Sequence, residues 1–492
     1  MADIRGVLTR LGVLSPILVV LGCALLPGEL GLQSLDADRE MGMKTKKDVS
    51  QQIGVVNDPV AERYVTAIGD RLIGQLEGRR FDYEFHIVDQ YAPNAFAAPG
   101  GYIYVSRGLL ALSNREDELA GVIGHEITHV SRRHTAKQLA KSRPLAILTL
   151  PGRIVGGVLS NNLGRLLNAP INAVGKVSLA TYSRDQESEA DERGLALAAR
   201  AGYDPIALAN ILVRLEREGE LHTGKKREKS FFDSHPTTPA RKEDIESRAR
   251  KAKRVPRAPI AMDRADFLRR LDGLIVGADP AKGVFDGRTF RHPDLNFTLR
   301  FPAGWETVNT PTAVGATSPD KDAVIFVGIR GEGTDAKQAG QAFVRDVRRE
   351  HGVNPSRAEE VVVGEEPGYL VVIRDVSADP PMHLYMLWVA MGGNLFEFIG
   401  LAPERLRPLL RECALSFRKL TPAERMAITA TRLRVVTARA GETLAELSRR
   451  VGNVWDPAIT ANANDMAEDR KLAAGDLVKV AVSEPYFRVP AP

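Results

Sequence analysis

The chain has two cysteines in 492 residues. Two thiols cannot build a disulfide framework, so stability has to come from buried apolar cores. Long apolar runs are also scarce. After the amino terminus no segment holds 18 uninterrupted apolar residues, so the mature chain is not expected to span a membrane. Tandem repeats and low-complexity tracts are absent. Excess charge of one sign is small, at +5, and an excess of that size makes no case for nucleic acid as a partner. What is present is the ordinary balance of a globular protein, 44% hydrophobic and 26% charged, which excludes collagen and wholesale disorder. At about 150 residues per domain the length suggests roughly three domains.

The amino terminus is the one outlier. Arg5 and Arg10 precede an apolar run from Leu11 to Leu21, interrupted by Ser15 and Pro16, and Gly22 and Cys23 follow. A basic region, a short apolar stretch and a small residue form the pattern of a secretory signal over residues 1–22. The run is shorter than the about 20 residues a transmembrane helix needs. Val20-Leu21-Gly22-Cys23 resembles a bacterial lipobox, although Leu21 departs from the usual residue. Acylation of Cys23 would give a membrane-associated lipoprotein; the alternative is a cleaved signal with an incidental cysteine. Cys413 then has no intramolecular partner and reads as a buried, inert thiol.

Helical spacing of Val60, Tyr64, Ile68 and Leu72 predicts helix within 35–80. Phe81–Val88 alternates as a strand, and Tyr102–Val105 is a second strand entered through Pro99-Gly100-Gly101. Ser113 and Glu116 have capping-box spacing and predict a long helix to about Ala140. Another helix is expected from about Ser183 to Arg200, with a stop at Gly202-Tyr203-Asp204-Pro205. Residues 217–257 are dense in Lys and Arg, a pattern usually belonging to a solvated face or linker. From Phe285 the pattern turns to strands at 290–301, 323–329, 368–375 and 384–389, with helices near 335–351 and 403–417.

The chemistry is carried by His125-Glu126-Ile127-Thr128-His129. Four residues advance a helix by about 400°, so the two imidazoles project from one face, about 40° apart, and can hold one zinc ion. Glu126 lies one step round, where it can serve as general base. The alternative is a core helix with two satisfied histidines. Zinc needs a third protein ligand and an open fourth position. His134, nine residues after His125, would lie half a turn away on a continuous helix. The better candidate is Glu187, with Asp191 one turn on to hydrogen-bond a ligating histidine, as in glutamate-type zincins. Ala190 and Gly194 keep that face small enough for two helices to pack around the metal. Glu189 falls on another side of the helix, about 200° from Glu187.

These residues carry a resemblance. Asn94-Ala95-Phe96-Ala97-Ala98-Pro99-Gly100-Gly101-Tyr102-Ile103-Tyr104-Val105, Arg107-Gly108-Leu109, Asp117 through His129, Tyr182-Ser183-Arg184, Glu187 and Ala190-Asp191 resemble the gluzincin family of CAAX prenyl proteases, HtpX-type and BepA-type peptidases. The likeness covers roughly residues 35–250 and implies a zinc-dependent endopeptidase with one Zn2+ per chain, acting on protein or peptide substrates. It lies nearest the exported bacterial branch, without that branch's helical repeats, and implies a periplasmic or outer-membrane-associated protein in envelope quality control. It also implies that Tyr102, Ile103, Tyr104 and Val105 form a sheet edge beside the zinc helix, where an extended substrate pairs by main-chain hydrogen bonds. Asp233-Ser234-His235-Pro236 resembles the family's Ser-His-Pro element. His235 could donate to the oxyanion, occupy zinc's fourth site in a resting enzyme, or cap a turn; all three stay open.

Residues 290–305, with Phe301-Pro302-Ala303-Gly304-Trp305, resemble the opening of PsbP-like modules. Gly441-Glu442-Thr443-Leu444, Val451-Gly452, Asn462 and Leu472 through Val480 resemble a LysM module, which implies peptidoglycan as a partner. The expected architecture is α+β and multidomain: a signal at 1–22, a mainly helical gluzincin protease domain with a small sheet at 24–255, a linker at 256–284, a PsbP-like α+β module at 285–422 and a βααβ LysM-like domain at 433–482. Two functions follow. One is an exported zinc endopeptidase. The other is a latent or non-catalytic chaperone-like adaptor tethered to peptidoglycan, for which Glu126 would be superfluous.

Overall fold

Ser34 opens the first helix of the computed structural model by accepting a hydrogen bond from the Ala37 N–H, the usual way of satisfying a free helix N-terminus. The structure describes residues 34–141, 182–221, 231–236, 239–332, 335–375 and 380–486. The expected secretory signal, Cys23 and the segment between the two expected ligand helices lie outside them. They fall into two compact units. One is formed by residues within Leu32–Leu145, Val174–Asp279 and Thr429–Pro492; the other is Pro280–Ile428. The architecture is mixed α+β, with a helical amino-terminal region and several sheets.

The first unit begins with α1 (Leu35–Gln52) and α2 (Pro59–Ile73). Asp58 caps α2 and Pro59 supplies the preset φ of its first turn. Strands β1 (Glu84–Val88), β2 (Ala95–Ala98) and β3 (Tyr102–Ser106) make a small sheet in the order β1-β3-β2, with β3 parallel to β1 and antiparallel to β2. The hairpin turn needs Gly101 at φ 116°, where a Cβ would stand 1.9 Å from the Asp82 carbonyl oxygen. Then come α3 (Arg107–Leu112), α4 (Glu116–Ser131), α5 (His134–Lys141), α6 (Arg184–Arg200), α7 (Ile206–Leu221), α8 (Pro239–Lys251) and α9 (Arg264–Leu271).

Helix α4 runs through the core, with Leu119, Val122, Ile123 and Ile127 fully buried. It differs from the expected helix at both ends. Ser113 closes α3 instead of capping α4, donating its hydroxyl to the Leu109 carbonyl. At the other end the chain breaks at Arg133, which takes a left-handed φ of 58° and pairs with the buried Asp38 of α1. The segment 256–284 is also more than the expected linker. Helix α9 buries Phe267, Leu268 and Leu271 in the same core, because its apolar positions recur at helical spacing.

The second unit holds a seven-stranded antiparallel sheet. From edge to edge its strands are Arg357–Val363, Glu366–Asp375, Met382–Met391, Asn394–Pro403, Val324–Glu332, Ala313–Thr317 and Glu306–Asn309. A four-stranded sheet and the helices Ala336–His351 and Arg407–Leu415 complete it. The strand expected at 290–301 is a hairpin, Thr289–His292 with Phe297–Arg300, turned by Asn296 at φ 55°. Cys413 is buried there, and burial pushes its thiol pKa up, as an inert thiol requires.

The carboxy-terminal segment returns to the first unit as β4 (Thr429–Thr437), α10 (Leu444–Val451), α11 (Pro457–Asn464) and β5 (Leu477–Pro485). It has its own small core of Leu444, Leu447, Ala461, Leu472, Val478 and Val480. It is also fastened to the amino-terminal part. Leu433 and Ala481 join the larger core; the Gly273 N–H donates to the Leu433 carbonyl and the Leu433 N–H donates to the Leu274 carbonyl. Lys479 is fully buried and donates from Nζ to the carbonyls of Ala111, Leu112 and Ser113 at 2.6, 3.2 and 2.7 Å. Three acceptors around one nitrogen match an ammonium, which here closes the carboxyl end of α3. Among the described residues no helix is long and apolar enough to cross a membrane.

Candidate metal centre

Helices α4 and α6 pack face to face, and glycines set how close they come. A Cβ on Gly194 would stand 2.9 Å from the His125 nitrogen and 3.0 Å from its Cα. The small face expected from Ala190 and Gly194 is therefore in use. Gly194→Ala should push the helices apart, lowering Tm by an amount worth about 1–3 kcal/mol and weakening zinc binding; calorimetry and a zinc titration check this. Ser183 caps α6 in a capping box with Gln186, which starts the helix so that Glu187 and Asp191 face α4.

Four side chains then converge. Ligand atoms of His125, His129, Glu187 and His235 all lie within 4.8 Å of one another, and all four residues are buried. His125 Nε2 is 3.0 Å from His129 Nε2 and 3.3 Å from His235 Nδ1. Glu187 Oε1 is 3.3 Å from His129 Nε2 and 3.0 Å from His235 Nδ1. Ligands about 2.0–2.1 Å from a tetrahedral ion sit about 3.3 Å apart, so the spacing suits zinc. The donor set, imidazoles with one carboxylate, suits it too. Glu126 fits the remaining role: both its carboxylate oxygens are buried without a hydrogen-bond partner, a costly arrangement that a bound ion and water would relieve.

The carboxylates are held by charge. Burial would raise Glu187, but His235, His129 and His125 outweigh it and keep the carboxyl well below its usual range. Asp191 is likewise raised by burial and then lowered by Arg241, which grips both its oxygens at 2.7 and 2.9 Å, and by His125. Asp191 Oδ1 is 3.0 Å from His125 Nδ1, on the side of the ring away from the cluster. Burial drives His129 well below its usual pKa, which favours the neutral, ligating form. Burial pushes Glu126 up, against the pull of His235 and His125.

His125, His129, Glu187, Asp191, Glu126 and His235 are thus brought together. The expected sheet edge is not. Strand β3 is the central strand, hydrogen-bonded to β1 on one side and β2 on the other, so Tyr102, Ile103, Tyr104 and Val105 have no free main-chain side. The strand beside α4 with one side outside the ladder is β2. Sequence reasoning missed Arg241 as a partner of Asp191, since it sits in a basic run that looks like solvated surface. It also missed Tyr182, whose ring stacks on His129 at 3.7 Å between centroids, and Phe231, stacked on His235 at 4.2 Å.

Two histidines one helical turn apart, a glutamate from a second helix and a buried glutamate beside them define a zinc metallopeptidase site. The Peptidase family M48 model matches residues 59–249. The metalloprotease LoiP of Escherichia coli (strain K12) is 30% identical over 205 residues, 41% of this chain and 75% of that protein. The chain belongs to peptidase family M48. It is also 29% identical over 229 residues to the beta-barrel assembly-enhancing protease of Yersinia pestis, 46% of this chain and 46% of that protein. The match thus spans just under half the length of that relative. Among solved structures, a cyanobacterial PsbP (CyanoP) from Synechocystis sp. PCC 6803 aligns with 30% of this chain and 99% of its own at 16% identity, with a TM-score of 0.23, too low to decide the fold of the middle unit.

Proposed function

We propose that the chain is an exported zinc endopeptidase that hydrolyses peptide bonds in proteins of the bacterial cell envelope, in quality control of that compartment. The convergence of His125, His129 and Glu187 beside a buried Glu126 whose carboxylate accepts no hydrogen bond is the observation that carries this reading. Zinc held there supplies Lewis acidity, polarising a carbonyl and lowering the pKa of water. Glu126 takes the proton from the attacking water and passes it to the leaving amine. Asp191 holds His125 in the tautomer that presents Nε2 to the cluster, and Arg241 keeps Asp191 ionised. An extended substrate pairs along β2 in place of the strand expected from the sequence.

His235 is assigned to the resting fourth position. Its Nδ1 lies among the ligand atoms, while its Nε2 is 3.4 Å from Glu126 Oε1, so one ring covers both the open metal position and the base. This favours a latent enzyme over the oxyanion role. The βααβ tail keeps the element order of a LysM module, which supports a peptidoglycan contact. Lipid anchoring at Cys23 is the remaining part of the proposal; palmitate labelling lost in Cys23→Ser tests it.

Metal analysis with casein digestion tests the whole. The expected result is one zinc per chain, lost in Glu187→Ala together with cleavage. His235→Ala should keep zinc and cleave casein faster than the wild type. A wild-type chain without zinc sinks the reading, and slower cleavage by His235→Ala with zinc retained returns that residue to the oxyanion role.

A further inference from the structure

The two ligand histidines are supported differently behind the cluster. His125 turns Nδ1 toward Asp191. The back of His129 meets another histidine: its Nδ1 is 3.0 Å from Nδ1 of His134. His134 Nε2 in turn is 3.2 Å from Glu189 Oε2. His134 is 1% exposed, a burial that a plain surface histidine would not have. Glu189 stands at the rim, where it also pairs with Arg132 and Arg193.

The protons in this row have one consistent arrangement. His129 Nε2 faces His125 and Glu187, so a neutral ligating ring gives its lone pair there and carries its proton on Nδ1. That N–H can donate only to a bare His134 Nδ1. His134 must then carry its own proton on Nε2, where the Glu189 carboxylate accepts it. The reverse pair, with His134 Nδ1–H donating, would put a proton on the ligating His129 Nε2 and a bare His134 Nε2 against the Glu189 carboxylate, and the two remaining pairs leave two lone pairs, or two protons, facing each other at 3.0 Å. The plane of the His129 ring is set separately by Tyr182, which stacks on it and shares a 2.9 Å hydrogen bond with Thr135.

We propose that His134 and Glu189 are positioning residues that fix the tautomer and rotation of His129, as Asp191 does for His125. The inference rests on the reading of the cluster as a zinc site. The local backbone is built for it. On an unbroken α4, residue 134 would point well away from His129; the left-handed turn at Arg133, pinned to Asp38, brings it back. Such outer partners contribute about 10–100-fold to metal affinity in other sites.

Zinc competition against a chromophoric chelator, on the full mature chain, tests the relay. His134→Ala should weaken zinc by about 10–100-fold. His134→Asn places an amide oxygen near the position of Nδ1 and should recover most of the loss. Glu189→Ala should weaken zinc less, and should add nothing once His134 is gone. In the Co2+-substituted protein the visible absorption bands should shift in His134→Ala and return in His134→Asn. If the wild type binds no zinc, the site itself is misread and the relay falls with it. If the wild type binds tightly and His134→Ala matches it in affinity and spectrum, the relay alone is wrong. Equal losses in the Ala and Asn variants, in step with a lower Tm of the metal-free protein, would also overturn it and assign His134 to packing.

Discussion

Glu126→Gln should lower casein hydrolysis by about 10²–10⁴-fold while leaving one zinc per chain, the range expected when a general base is lost. The substitution keeps the size of the side chain and removes only its ability to take a proton. Glu126 is fully buried, and neither carboxylate oxygen has a hydrogen-bond partner. It is therefore not holding the fold together through that carboxylate. Burial raises its pKa, which makes it a better proton acceptor than an exposed glutamate. Steady-state kinetics with metal analysis on the same sample separates the outcomes. Retained cleavage would move the base elsewhere, and lost zinc would make Glu126 part of the metal's hold.

Lys479→Met should cost about 3–5 kcal/mol of unfolding free energy, because hydrogen bonds from a charged donor contribute about 1.5–3 kcal/mol each and buried carbonyls left alone are penalised. Methionine fills the space but leaves the Ala111, Leu112 and Ser113 carbonyls without their donor. Burial and the neighbouring Arg214 push the pKa of Lys479 down, Glu118 and Asp465 pull it up, and the three carbonyls accept its hydrogen bonds. The loss should reach the catalytic unit, since α3 leads directly into α4. Neighbouring contacts tighten the same seam: Asn114 donates to the Ala463 carbonyl, Asn462 donates to the Arg214 carbonyl and to Glu218, and Arg214 pairs with Glu118 on α4. Urea unfolding, followed by probes in each part, should show one transition that moves as a whole. An unchanged midpoint in Lys479→Met would reduce the tail to a loosely attached appendage.

The cluster was legible in the sequence because its signal is local. Two histidines four apart, and a Glu and an Asp four apart, declare shared helix faces without any knowledge of the fold. His134 was not legible, since its role depends on a left-handed arginine, a conformation for which Arg gives no cue. The position of β3 inside its sheet was hidden for a different reason: alternation shows that a segment is a strand, not how many neighbours it has. The alternating tail strand likewise concealed Lys479. A lysine between Val478 and Val480 reads as the wet face of an isolated module, yet that face is covered by α3. The basic run gave Arg241 no distinction from its neighbours; only Asp191 and Glu187 opposite it do.

The seam at Lys479 also has a bearing on biosynthesis. Its contact with Ser113 joins residues 366 apart. At about 5–20 residues per second, the ribosome makes the partner of α3 roughly 20–70 s after α3 itself. The helix that carries both zinc histidines thus waits, through the whole of the intervening unit, for this support. The core shared by α3, α4 and the tail strands therefore cannot complete its packing on the nascent chain before β5 emerges.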